Sequence, residues 1–170
     1  MNHSKQLKTA YDIAEQESKK EGVIAISVFG SVAEGSEKED SDLDIEIISE
    51  NAKEWNYKTL IIDGVYVDLV TTPKDFLLRR IKEYPYLNYT YLHRKTIYDP
   101  TKFLRNIENE VKEYFEKNPE ATKFWKEKKE YVKRMKSQGK KPESAMKSYD
   151  EAEINFSENH QISRDFFKSE

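Results

Sequence analysis

The chain of 170 residues has no cysteine, which excludes disulfides and any thiolate nucleophile or metal ligand. It has no apolar run near the roughly 20 residues that a membrane-spanning helix needs. Its first twenty residues, MNHSKQLKTAYDIAEQESKK, lack the apolar core of a signal peptide. The expectation is therefore a soluble, cytoplasmic protein with no membrane partner. Positive charge is also in short supply. Lys and Arg number 29 against 32 Asp and Glu, a net charge of −3, with a pI near 5.8. That balance argues against nucleic acid as a partner, because chains that coat it are usually strongly basic. The halves differ slightly: 13 basic against 18 acidic residues in 1–100, and 16 against 14 in 101–170. There is no internal repeat and no low-complexity segment.

What is present centres on Val23 to Ile48, VIAISVFGSVAEGSEKEDSDLDIEII. Val23, Ile24, Ile26, Val28 and Phe29 form an apolar run bounded by Gly22 and Gly30, the pattern of a strand buried on both faces. Leu43 to Ile48 alternates instead, with Leu43, Ile45 and Ile47 on one face and Asp42, Asp44 and Glu46 on the other. Residues two apart on a strand are neighbours, so Asp42 and Asp44 repel unless a hard cation such as magnesium lies between them. Gly30 permits close approach of backbone to a ligand, and Ser31 can open a helix whose free N–H groups suit a phosphate. Phosphate cradle and metal carboxylates together are what phosphoryl-group chemistry requires. A solvated acidic loop would explain GSEKEDSD alone, but not an acid set inside an apolar alternation.

These residues resemble a known signature. Gly30-Ser31-Val32-Ala33-Glu34-Gly35, five further residues, and then Ser41-Asp42-Leu43-Asp44-Ile45 are similar to the motif of the DNA polymerase beta-type nucleotidyltransferases. The nearest branches are the minimal nucleotidyltransferases and the antibiotic adenylyltransferases of aminoglycoside type. The resemblance covers roughly residues 20 to 105. It implies an α+β nucleotidyltransferase fold, a small mixed sheet flanked by helices with a C-terminal helical extension. It also implies that Gly30 and Ser31 contact a nucleoside triphosphate, and that Asp42 and Asp44 hold magnesium, two ions being expected. A third carboxylate on a later strand completes such a site. One departure stands out: the minimal members commonly carry arginine where this chain has Glu34, which adds negative charge near a polyanion.

The remaining elements follow in order. Ser4 to Lys20 reads as an amphipathic helix with Leu7, Tyr11, Ile13 and Ala14 inward, ended by Glu21-Gly22. TLIIDGVYVDLV, residues 59–70, reads as a hairpin turning at Asp63-Gly64. Asp68 lies mid-strand among apolar residues, where a buried acid is costly unless paired or metal-bound. An edge-strand aspartate facing water is the plainer reading. The resemblance favours Asp68 as the third metal ligand or a general base. Thr71-Thr72-Pro73 reads as a helix start with threonine as N-cap and Phe76, Leu77 and Ile81 inward to Glu83, with Arg79, Arg80 and Lys82 as a solvated face. YPYLNYTY, residues 84–91, could stack on a base or an acceptor ring but reads first as core and rim packing. His93 receives no role.

A short strand and a turn at Asp99-Pro100 precede helices over 101–117, 119–137 and 143–158, with 159–170 frayed. Phe103, Ile107, Val111 and Phe115 form one apolar stripe, and Phe124, Trp125, Tyr131 and Val132 another. The expected division is a catalytic domain over 1–100 and a helical extension over 101–170. The expected function is magnesium-dependent transfer of a nucleoside monophosphate, AMP from ATP, to an acceptor hydroxyl on a small molecule such as an antibiotic. Two other readings stay open: an antitoxin that adenylylates or binds a helical toxin protein, and a catalytically silent binding module. The C-terminal helices are candidates for a homodimer contact or a helical partner.

Overall fold

A computed structural model describes residues 4–139. Ser4 caps the first helix, α1 (Lys5–Glu17), its hydroxyl accepting from the Leu7 N–H at 3.2 Å. The helix ends earlier than the sequence suggested, and Gly22 (φ +83°) completes the turn into β1 (Val23–Phe29). Tyr11, expected inward, is 40% exposed, while Ala10 is fully buried. Leu7, Ala10 and Ala14 follow the i, i+3, i+7 spacing of one helical face, and Tyr11 lies past its margin.

Strand β1 is followed by the single short helix α2 (Gly30–Glu34), which Gly35 closes in the left-handed region at φ +67°. Then come β2 (Leu43–Ser49), β3 (Asn56–Ile62) and β4 (Val65–Pro73). Between β3 and β4, Asp63 (φ 51°) and Gly64 (φ 74°) both have positive φ, as a type I′ turn requires. Helix α3 (Lys74–Glu83) leads into a 3-10 segment, Pro85–His93. Strand β5 (Lys95–Tyr98) and helix α4 (Phe103–Lys117) complete a compact unit that ends at Lys117.

The five strands form one mixed sheet in the order β3-β4-β2-β1-β5. Only β2 and β4 run parallel; the other neighbours are antiparallel. This is the α+β architecture expected, including helices after the sheet. Helix α1 covers one face. There Leu7, Ala10, Ile13 and Ala14 join Ile26, Val28, Leu43, Ile45, Ile47, Val65, Val67 and Leu69 in one core. The full burial of Ile26 and Ile45 contributes about 1.5–3 kcal/mol each.

The opposite face is polar at its centre. Glu46 is only 4% exposed. Its carboxylate accepts from Thr72 Oγ1 at 2.5 Å, from the Tyr91 hydroxyl at 3.0 Å and from Arg94. Arg94 also donates to Ser27 Oγ at 3.2 Å, and its guanidinium lies 3.9 Å from the Tyr91 ring centroid and 4.8 Å from that of Phe29. Burial pushes the Tyr91 hydroxyl well above its ordinary range, and the Glu46 charge adds to this. Burial opposes the charge on Arg94, but Glu46 and Tyr91 outweigh it and hold the guanidinium charged. The assignment of threonine as N-cap is corrected here. Strand β4 continues through Thr71 and Thr72, Pro73 takes the cap position, and the Thr72 hydroxyl goes to Glu46.

Residues 84–91 are packing, as the plainer reading held. Tyr86, Leu87, Tyr89 and Tyr91 are buried, and fully buried Asn88 donates to the Tyr84 carbonyl at 2.8 Å. In α4 the stripe is Leu104, Ile107, Val111 and Phe115; Phe103 is only half-buried. The second unit includes α5 (Pro119–Ser137), in which Trp125 is buried and the half-buried Phe124 meets it edge-on. The helix expected at 143–158 and the tail 159–170 lie outside the described residues.

Replacing Arg94 by Met leaves the Glu46 charge buried without its cation, and should destabilise the fold by about 3–5 kcal/mol. Urea denaturation checks this, and Arg94→Met combined with Glu46→Leu should recover most of the loss.

Candidate active site

From Asp42, just before β2, through Asp44 and Glu46 within it, the carboxylates go progressively inward. Asp42 is exposed, Asp44 half-buried and Glu46 buried. The register carries the Asp44 face across the sheet. Phe29 of β1 is opposite Asp44, Asp44 is opposite Asp68 of β4, and Asp68 is opposite Thr59 of β3. Paired residues on neighbouring strands lie about 5 Å apart and point the same way. Asp44 and Asp68 are therefore side by side although 24 positions separate them in the chain.

Gly30 follows Phe29 and stands against the same carboxylate. Its φ is +69°, and a Cβ built there would collide with Asp44 Oδ2. Glycine is required twice over, for its conformation and for the room that the Asp44 side chain occupies. Ser31, the next residue, is half-buried, and its carbonyl accepts from the Ser36 N–H at 3.0 Å.

Asp42 comes from the loop before β2, and that loop is tied down from below. Gln6, 3% exposed on α1, directs Nε2 at the carbonyls of Lys38 (3.0 Å), Glu39 (3.0 Å) and Ser41 (3.1 Å). The Ser41 hydroxyl accepts from the Lys38 N–H at 2.8 Å. A glutamine on an amphipathic helix gives no local sign that its amide will clamp a loop more than 30 residues away.

Asp68 is half-buried and has a partner. Thr59 Oγ1 donates to Asp68 Oδ1 at 2.7 Å, and the Tyr57 hydroxyl lies 3.2 Å from Thr59 Oγ1. The Thr59 contact pulls the Tyr57 phenol down, but the nearby Asp68 carboxylate and the charge of Asp44 prevail and raise it. The Tyr57 hydroxyl therefore senses both acids.

Asp44 and Asp68 are brought together beside Gly30, with Asp42 at the exposed end of the row. Among the described residues, however, no group of three Asp, Glu, His or Cys side chains is close enough to enclose a metal ion. The donors suit a hard, oxygen-seeking cation: carboxylates, with hydroxyls behind one of them. Glu34 ends α2 and is exposed. Sequence reasoning missed Gln6, Thr59, Tyr57 and Arg94. Only Glu46 carried a signal, through its parity with Asp42 and Asp44.

Comparison with known proteins bears on this arrangement. A family model described as polymerase beta, nucleotidyltransferase matches residues 12–103, more than half of the chain, and that span includes Gly30, Ser31, Asp42, Asp44 and Asp68. The chain belongs to this nucleotidyltransferase family. No curated protein matches it. Among solved structures it is similar to a nucleotidyltransferase-like protein from Exiguobacterium sibiricum 255-15, with 17% identity and a TM-score of 0.46. That match covers 65% of this chain and 39% of the other, so this chain spans about two-fifths of that protein's length. It is also similar to a toxin-antitoxin structure determined with AMP-PNP, with 15% identity and a TM-score of 0.37, over 69% of this chain and 94% of that one.

Gly30→Ala should cost about 1–2 kcal/mol for the left-handed backbone alone. It should also displace the Asp44 carboxylate. Comparing its denaturation midpoint with that of Gly35→Ala, where a Cβ would meet nothing within 4 Å, separates the two effects, and Gly30→Ala should be the worse.

Proposed function

We propose that this nucleotidyltransferase domain moves a nucleoside monophosphate, AMP from ATP, to a hydroxyl of a small-molecule acceptor in a magnesium-dependent reaction. The observation that carries the proposal is the Asp44–Asp68 pairing beside Gly30 within a chain of this family. Asp42, Asp44 and Asp68 are the residues that would hold magnesium, and Gly30 and Ser31 those that would meet the triphosphate. Bound magnesium would supply neutralisation of the triphosphate charge and of the charge that develops on pyrophosphate as it leaves.

The chain's own part is positional. Asp44 is fixed over the Gly30 backbone, so the triphosphate end of the site and the acid row share one boundary. Asp42 is delivered from a loop whose carbonyls Gln6 holds. Asp68, as general base, would take the proton of the acceptor hydroxyl while that oxygen bonds to the α-phosphorus and the bond to pyrophosphate breaks. As a ligand only, it would orient the same oxygen without taking the proton. Either role needs the carboxylate beside Asp44. Positioning and charge neutralisation account for most of the catalysis in such transfers, so removal of one acid is severe.

Asp44→Ala and Asp68→Ala should each lower transfer by about two orders of magnitude or more, with the fold retained. The test is incubation of the chain with labelled ATP, magnesium and cell extract. Label on a small molecule supports the reading given, while label on a polypeptide moves the acceptor to the protein class. Normal transfer by Asp44→Ala would sink the assignment.

A further inference from the structure

Strand β3 is the sheet edge beyond Asp68, and most of its residues are exposed. A hydroxyl there has water on offer and no need of a protein acceptor, so a hydrogen bond to an acid adds little to stability. Yet Thr59, paired in register with Asp68, directs Oγ1 to Asp68 Oδ1 at 2.7 Å. The hydroxyl has one hydrogen, and Asp68 takes it. At the 3.2 Å contact between Tyr57 and Thr59 the donor must therefore be the phenol. The result is a directed chain, Tyr57 to Thr59 to Asp68, which ends on one oxygen of one acid in the row. Tyr57 is itself 50% exposed, with its ring stacked on Trp55 at 6.4 Å and 8° between planes.

We infer that Thr59 is a positioning residue for the metal site, aiming the Asp68 carboxylate so that Oδ2 is the oxygen left for a cation shared with Asp44, with Tyr57 supporting it from behind. The inference rests on the proposed role of the acid row. Carboxylates that bind metals are commonly held by such outer hydrogen bonds, and loss of one typically weakens metal binding by a factor of about 10–100. The sequence shows none of this, because a threonine on a strand is ordinary β-former composition.

The test uses Mn2+ alone as the probe, titrated into the full chain and followed by the loss of its free-ion paramagnetic resonance signal, well below the melting transition. The wild-type chain should show a saturable site that Asp68→Asn abolishes. Thr59→Val keeps the branched shape and loses the hydroxyl. It should leave the melting temperature unchanged and weaken Mn2+ roughly tenfold. Thr59→Ser, which restores the hydroxyl alone, should bring the affinity back, and Tyr57→Phe should fall between. If Thr59→Val binds Mn2+ as tightly as wild type while Asp68→Asn does not bind, Thr59 has no such role and the acid row stands. If Thr59→Ser is as weak as Thr59→Val, shape rather than the hydrogen bond is responsible and the inference fails. A wild-type chain with no saturable site overturns the metal reading of the acids, and this inference with it.

Discussion

The ion pair between Glu46 and Arg94 is the constraint on which the rest of the sheet depends. An isolated carboxylate cannot be taken out of water without several kcal/mol of cost, and Glu46 is nearly sealed. The cost is met by three donors from three places in the chain: Thr72 from the end of β4, Tyr91 from the 3-10 segment and Arg94 from its C-terminal cap. Each donor lands only if its element is in register. Strand β4 must lie parallel to β2 with Glu46 opposite Val70, one step further and Thr72 would miss. The same register sets Asp44 opposite Asp68. The buried pair thus fixes, two residues further in, the alignment that the outer acids use.

The parts legible in the sequence are those written locally. The run Val23–Phe29, the alternation from Leu43 and the Asp63-Gly64 turn each depend on neighbours in the chain, and each formed where its pattern lay. Asp68 was legible as an anomaly, an acid inside an apolar strand. What the pattern could not say was which strand would lie beside it, since periodicity assigns a face and not a neighbour. Gln6, Thr59, Tyr91 and Arg94 were opaque for that reason. Their partners lie 9 to 67 positions away, and only the assembled sheet brings them in. Thr72 is the instructive error. Threonine before proline is a sound local sign of a helix cap, but a buried carboxylate is the stronger claimant on the hydroxyl. Tyr11 failed differently: the helical face was right, but its centre was filled by the smaller Ala10.

Residue 34 is where the family resemblance and this chain part. Commonly arginine in the minimal members, it is here a glutamate at the exposed end of α2. The departure leaves the row Phe29–Asp44–Asp68–Thr59 untouched, because its register contacts run between strands and none passes through α2. Under the proposed function its effect would fall on the electrostatic surroundings of a triphosphate and not on the alignment of the acids.

Charge along β2 then explains why the two outer acids differ from the inner one. Arg94 is committed to Glu46 and Ser27, held between two aromatic rings, and its charge also acts on Asp44. It stays where the core puts it, since moving outward would uncover Glu46. The positive charge that balances the inner end of the row is therefore fixed, while Asp42 stands exposed at the outer end and Asp68 accepts from the Thr59 hydroxyl, which carries no charge. A cation that comes and goes with a nucleotide can act only where the protein has not already supplied a permanent one. Under the proposed function, the division of this segment into a neutralised interior and an acidic outer end is what would permit such exchange, and one strand with a two-residue period is enough to produce it.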